Sequence, residues 1–283
     1  MMTQEQTTIR RMEQEELALA ISWAGQEGWN PGIHDGACFY ACDPEGFWMA
    51  EVDGEPVAIL SSVRYATRIG FIGFYLVRPD CRGMGVGRVV WRQGMDALSD
   101  CTVGLNTASS CEAKYEKMGF KTAHRVIRYR GDAGGVLQSD PYLLPLTDIP
   151  FDRVVAFDTT FFYGQRESFL ASWITRPGVI ALGILQDGHL AGYGVLRQAW
   201  DGFRIGPLFA VNPAHAHRLY NALKAYGGEG PVYIDMPDTN PNALDLAREF
   251  GLEPVKETVR MYHGAPPPLP LSGIYGLTSL ELG

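Results

Sequence analysis

The chain has 283 residues, of which 46% are hydrophobic and 20% charged, with a formal net charge of −8. That length holds about two ordinary domains with cores of their own, and the composition is not that of a disordered, collagen-like or coiled-coil chain. The acidic balance argues against a nucleic-acid partner, no apolar run approaches the ~18 residues of a membrane span, and the opening MMTQEQTTIRRMEQEE lacks a signal-peptide core.

Taken along the chain, the first half opens with Trp29-Asn30-Pro31-Gly32-Ile33-His34-Asp35, a polar turn rich in special backbone residues. Cys38, Cys42, Cys81, Cys101 and Cys111 are odd in number and have no framework spacing, as expected of reduced thiols in a cytoplasmic protein. No second Cys/His pair at zinc-ligand spacing follows Cys38 and Cys42, so no metal is expected. Next come two apolar runs joined by Asp53-Gly54, the strongest short signal for a β-hairpin. A strand ending at Val77-Arg78-Pro79 leads into a glycine-rich stretch. Val86, Val89, Val90, Met95 and Leu98 then recur at helical spacing. Gly119-Phe120 precedes one more strand, VIRY.

The second half repeats this order. Asp187-Gly188 makes a second hairpin, a strand ends at Val211-Asn212-Pro213, a helix follows, and Gly251-Leu252 precedes VRMY. Two divergent copies of one mixed α/β unit, helices packed on a mixed sheet, are the expected architecture. Residues 1–131 form the first domain and 140–283 the second, separated by a Gly-, Asp- and Pro-rich connection. The first half holds 14 Lys+Arg against 16 Asp+Glu and the second 10 against 16, so an anionic ligand should prefer the first.

Arg82-Gly83-Met84-Gly85-Val86-Gly87, with Arg88 following, lies between a buried strand and an amphipathic helix. Glycines let a backbone approach a ligand closely, and the N–H groups of a helix start carry partial positive charge, so this is an anion cradle of pyrophosphate size. The Walker loop is excluded because Gly-Lys-Ser/Thr is absent, and the dinucleotide fingerprint because Arg88 and Val90 stand where its last glycine belongs. Arg-x-x-Gly-x-Gly after a strand ending in Val-x-Pro resembles the acyl-CoA loop of the GNAT superfamily of N-acetyltransferases. Tyr115-x-x-x-Gly119-Phe120 resembles the segment on that family's last helix, the loop from Trp29 to Asp35 its acceptor side in a tandem subgroup, and Gly192-Tyr193-Gly194, Ile205-Gly206-Pro207-Leu208-Phe209 and the closing Ser279-Leu280-Glu281-Leu282-Gly283 that subgroup's second domain.

The resemblance implies a fold of two tandem GNAT-like units and acetyl-CoA as co-substrate. The donor would be held by Arg82, Gly83, Met84, Gly85, Val86, Gly87 and Arg88, with the backbone of Leu76 and Val77 pairing its amide arm like an added strand. Tyr115 would protonate the departing thiolate; by spacing alone it could equally be a tyrosine packed on the sheet. Trp29, Asn30, His34, Asp35 and Tyr75 are the candidate acceptor contacts. The expected reaction is direct acetyl transfer to a primary amine of a small metabolite in a ternary complex. A non-catalytic acyl-CoA sensor, another acyl group or a protein amine are the alternatives, and a homodimer is left open.

An alkylammonium of pKa ~10.4 is only about 0.04% neutral at pH 7, a handicap of roughly 4.6 kcal/mol, so a base is needed. The family often places a carboxylate on the central strand, yet IGFIGFYLV (residues 69–77) has no acid; His34, Asp35, Glu51 or a water chain are the substitutes. The second copy has no glycine after Pro213, and Ala247 replaces the tyrosine, so it should not bind coenzyme A. His215 and His217 read as a solvent-facing helix start, and Trp200, Asp235, Met236, Asp238 and Asn240 as candidates for an interdomain pocket.

Overall fold

The computed structural model describes residues 7–65, 68–136 and 139–283. The first unit runs β1 (Thr7–Arg11), α1 (Leu17–Gln26), α2 (Asp35–Cys42), β2 (Phe47–Val52), β3 (Glu55–Tyr65), β4 (Ile69–Val77), α3 (Val86–Ala97), β5 (Thr102–Ala108), α4 (Glu112–Glu116) and β6 (Lys121–Asp132). The second repeats the order as β7 (Leu143–Pro145), α5 (Phe151–Phe161), α6 (Glu167–Thr175), β8 (Val179–Gln186), β9 (His189–Gln198), β10 (Phe203–Ala210), α7 (Pro213–Tyr226), β11 (Pro231–Pro237), α8 (Pro241–Glu249) and β12 (Glu253–His263). A short β13 (Ile274–Gly276) follows. Both hairpins turn on Asp-Gly with positive φ at each residue, 53° and 80° at Asp53-Gly54 and 51° and 77° at Asp187-Gly188. That pairing of angles matches the twist of the flanking strands.

All the strands join one mixed sheet in the order β1-β2-β3-β4-β5-β12-β6-β11-β10-β9-β8-β7, with β13 beside β10. The order is symmetric about the β12–β6 contact. Each unit's final strand has crossed over: β12 pairs with β5 of the first unit, and β6 pairs with β11 of the second. The sequence reading has each half ending on its own strand. The structure differs because the two units offer equivalent slots, and a strand's local pattern does not say which slot it fills.

On one face α3 covers the first unit, burying Val86, Val90 and Trp91, and α7 and α8 cover the second with Leu219, Leu223 and Leu246. On the other face α1 and α2 meet α5 and α6 over a core common to both units, where Phe39 stacks on Trp173 at 5.9 Å between ring centroids. Two buried ion-pair groups also tie the units. Asp35 takes Arg176 at 2.7 Å and Arg197 at 3.1 Å, and Asp235 takes Arg128 at 2.7 Å together with Arg204.

Several sequence expectations change here. His215 is buried rather than solvent-facing: its ring Nε2 sits 2.8 Å from the Gln186 Oε1, and its backbone N–H is capped by Asn212 at 3.0 Å. The proposed interdomain pocket set disperses. Asp235 is ion-paired, Met236 is in the core, Asp238 accepts from the Arg125 N–H and Asn240 caps α8. Trp200 is largely exposed over Gly25. Among the described residues no group of three or more His, Cys, Asp or Glu side chains is placed to hold a metal, and no helix is long and apolar enough to cross a membrane.

Candidate active site

The site begins where β4 and β5 separate. They pair in parallel from Ile69–Thr102 to Ile72–Leu105 and then part, although β4 continues to Val77. A bulge against β3 accompanies the parting, and within it Phe74 takes φ 42°. Such a left-handed, non-glycine conformation is sparsely populated and clusters at functional positions. It sends the phenyl ring to Phe39 at 5.7 Å, in the core shared by both units. Beyond Ile72, β4 therefore has an edge toward β5 with no strand on it.

One side of this opening is a cleft lined by Tyr75, Val77, Arg82, Gly83, Gly85, Gly87, Arg88, Trp91, Lys114 and Tyr115, with Cys81 and Met118 at its margins. Gly83 and Gly85 have φ 80° and 92°, and Gly85 leads directly into α3. No side chain caps α3, so its first N–H groups are free to face an anion. A Cβ on Gly87 would lie 2.8 Å from the Tyr75 hydroxyl, which is why α3 can start so close to β4. Arg82 donates to the Val77 carbonyl at 3.1 Å and pairs with Glu27 at the end of α1. Leu76 and Val86 point into the apolar cores and Met84 is exposed, so these three do not line the cleft with side chains. Trp91, Lys114, Cys81 and Met118 are also among the residues that line it, and sequence reading missed them. Lys114, adjacent to Tyr115 and held over the Tyr75 and Tyr115 rings at 5.5 and 5.6 Å, is the one a helix argument could have found.

The other side is a cavity of about 300 Å³ lined by Trp29, Gly73, Phe74, Tyr75, Asn106, Thr107, Lys114, Tyr115, Lys256, Thr258, Leu280 and Glu281 among others. Of the five residues expected to contact an acceptor, Trp29 and Tyr75 line this cavity. Asn30, His34 and Asp35 do not line it. Asn30 exchanges two hydrogen bonds with the backbone of Asp201, at 3.0 and 2.7 Å. His34 is exposed and its carbonyl accepts from Arg176 at 2.5 Å. Asp35, 1% exposed, accepts from Arg176, Arg197 and the Gly32 N–H. Burial would raise its pKa, but Arg197 and Arg176 outweigh it and hold the carboxyl below the usual range. Glu51 is tied to Arg10 at 2.7 Å on the far strand pair β1–β2.

Tyr115 stands between the two spaces and lines both. It is 8% exposed, with its ring against Trp91 at 5.4 Å and Phe120 at 5.9 Å. Burial, and next the Tyr75 hydroxyl, push its phenol well above the ordinary value, so it keeps its proton at neutral pH. The equivalent opening in the second unit is closed. After Ile205–Ile234, β13 pairs with β10 in the gap, Asn212 caps α7, and Ala247 is buried in the core.

Residues 14–120 match the family model "Acetyltransferase (GNAT) family" and residues 154–276 the model "Acetyltransferase (GNAT) domain". The chain is 32% identical to a holothin acyltransferase of Pseudoalteromonas sp. over 100% of its own length and 97% of the relative's. Among solved structures it is similar to a putative acetyltransferase of Pyrococcus horikoshii, with TM-score 0.83 and 21% identity over 100% of this chain and 98% of that one. It is also similar to a tandem GNAT protein from the clavulanic acid biosynthesis pathway, with TM-score 0.63 and 16% identity over 92% and 100%. The chain belongs to the GNAT acetyltransferase family and is an acyltransferase built of two GNAT-like units. An acyl-CoA is the donor of such enzymes, and the uncapped α3, the two left-handed glycines and the unpaired edge of β4 suit its pyrophosphate and amide arm.

Proposed function

We propose that this enzyme transfers an acetyl group from acetyl-CoA to the primary amine of a small molecule by direct attack, with both substrates bound together. The observation that carries this reading is the junction of the donor cleft and the roughly 300 Å³ cavity, which share Tyr75, Lys114 and Tyr115. A donor lying along β4 brings its thioester to that junction, and an acceptor in the cavity reaches it from the opposite side. The cavity's size favours a small acceptor over a protein chain. The amine nitrogen attacks the thioester carbonyl, the carbon–sulfur bond breaks, and Tyr115 gives its proton to the leaving sulfur.

Tyr115→Phe tests the assignment, because it removes the hydroxyl and keeps the packing against Trp91 and Phe120. Turnover should fall by about 10²–10⁴, the usual contribution of a positioned acid, or roughly 3–5 kcal/mol of barrier. Coenzyme A affinity by calorimetry should hardly move. A variant that keeps more than about a third of the turnover, with chemistry rate-limiting, would remove Tyr115 from the mechanism.

A further inference from the structure

β4 carries no carboxylate, and the substitutes nearest in sequence are bound elsewhere: Asp35 by Arg176 and Arg197, Glu51 by Arg10. The cavity nevertheless holds one acid, Glu281. It is 3% exposed, and its Oε2 has no hydrogen-bond partner among the described residues. A buried polar oxygen without a partner is costly and calls for an explanation. Resting on the amine-acceptor reading above, we propose that the Glu281 carboxylate is the base that takes a proton from the acceptor ammonium.

Its backbone is fixed from several directions. Residues 277–283 leave β13 in the second unit and cross to the first. The Leu277 N–H donates to the Asp235 carbonyl at 2.8 Å, Asn106 donates to the Leu280 carbonyl at 2.8 Å, and the Tyr65 hydroxyl donates to the Leu282 carbonyl at 2.8 Å. Asn106 and Tyr65 thus hold the residues on either side of Glu281. The Glu281 carbonyl itself lies so close to Gly73 that a Cβ there would meet it at 2.0 Å. Gly73 is the first residue of β4 beyond the pairing with β5, so the Glu281 backbone lies at the opening, and Glu281 is among the residues that line the cavity. The charged neighbours that feel Glu281 are Lys256 on β12, Arg128 on β6 and Arg204 on β10; Asp235 on β11 already pairs with both arginines. Glu281 remains the acid with an oxygen to spare.

Oε2 accepts one proton from the ammonium, and the neutral amine attacks the thioester carbonyl. The carbon–sulfur bond breaks as Tyr115 protonates the sulfur. The second nitrogen proton, lost as the amide forms, replaces the one Tyr115 gave up. Glu281 passes its proton to solvent, so one proton is released per amide made.

The test uses the full chain, acetyl-CoA and a panel of primary alkylamines and arylamines at pH 7. Glu281→Gln keeps shape and removes basicity. With any alkylamine that the wild type acetylates, turnover should fall by about 10²–10⁴; with an arylamine, already neutral at this pH, it should fall less than about tenfold. Glu281→Asp should recover part of the alkylamine rate, and coenzyme A affinity should match wild type in both variants. An equal loss on both amine classes, or none on alkylamines, overturns the base assignment while leaving the acyltransfer reading in place. A wild type that acetylates no amine overturns that reading, and this proposal with it.

Discussion

Among the described residues, four buried carboxylates divide into two kinds. Asp35, Asp158 and Asp235 each accept from at least one buried or nearly buried arginine, whereas the Oε2 of Glu281 accepts from nothing among the described residues. The paired ones hold the molecule together. Asp35→Asn keeps the shape but leaves Arg197, 1% exposed, and Arg176 without their counter-charge. Removing one partner of a buried pair costs about 3–5 kcal/mol, because the surviving charge stays buried. Urea unfolding should register that loss; a change under about 1 kcal/mol would mean that the arginines find water or another acceptor. The pH dependence has a definite sign. Asp35 is held below the usual carboxylate range in the folded protein, so its contribution is complete above the unfolded value of ~3.9 and is lost only as pH falls through the folded value. The partners of Asp35 lie 141 and 162 residues away, which is why a local reading took it for an acceptor contact. Trp29, in the same stretch, lines the cavity, while Asn30 and Asp35 bond to residues of the second unit.

Elements governed by near neighbours were readable in advance. Both Asp-Gly hairpins, the amphipathic α3 and the glycine loop that starts it stand as their local chemistry implies, since each depends on residues within one or two turns. Elements governed by distant partners were not. The crossing of β6 and β12 depends on pairings between the two halves, and the placement of Glu281 beside the cavity on where residues 277–283 end up. Gly73 and Gly206 show how the closing segment is admitted. Each follows the last parallel pair of its unit, and a Cβ at either would strike that segment, at the Glu281 carbonyl in one case and the Leu277 carbonyl, 2.5 Å away, in the other. Backbone cannot swing aside as a side-chain tip can. Gly73→Ala should therefore destabilise by about 1–3 kcal/mol, the range for overpacking. It should also lower turnover by displacing Glu281, while the α3 loop keeps its coenzyme A affinity. Unchanged melting temperature and turnover together would show that the segment does not rest on β4.

The two units share a plan but not a task. The first keeps its opening between β4 and β5, and the second fills the matching gap with β13 and sends the following residues across to the first. One donor site per chain, built on α3 and β4, is therefore the expected outcome. The exchanged strands make that site dependent on both halves, because β12 lies against β5 along Thr258–Ala108 to His263–Val103, beside the opening. Cutting the chain between the units separates this dependence from covalent linkage. A protease site inserted after Val136, which is 83% exposed, would leave β6 between β12 and β11 and β12 between β5 and β6. The two fragments should stay together through gel filtration and bind one acetyl-CoA per pair by calorimetry. After separation in denaturant, the first fragment refolded alone should bind it at least about tenfold more weakly, a loss of about 1.4 kcal/mol, since β5 lacks its neighbour. Fragments that part without denaturant would show that the strand exchange contributes little to holding the units together. A first fragment with full affinity would show that the donor site needs nothing from the second unit, and two equivalent binding events per pair would reopen the gap that β13 fills.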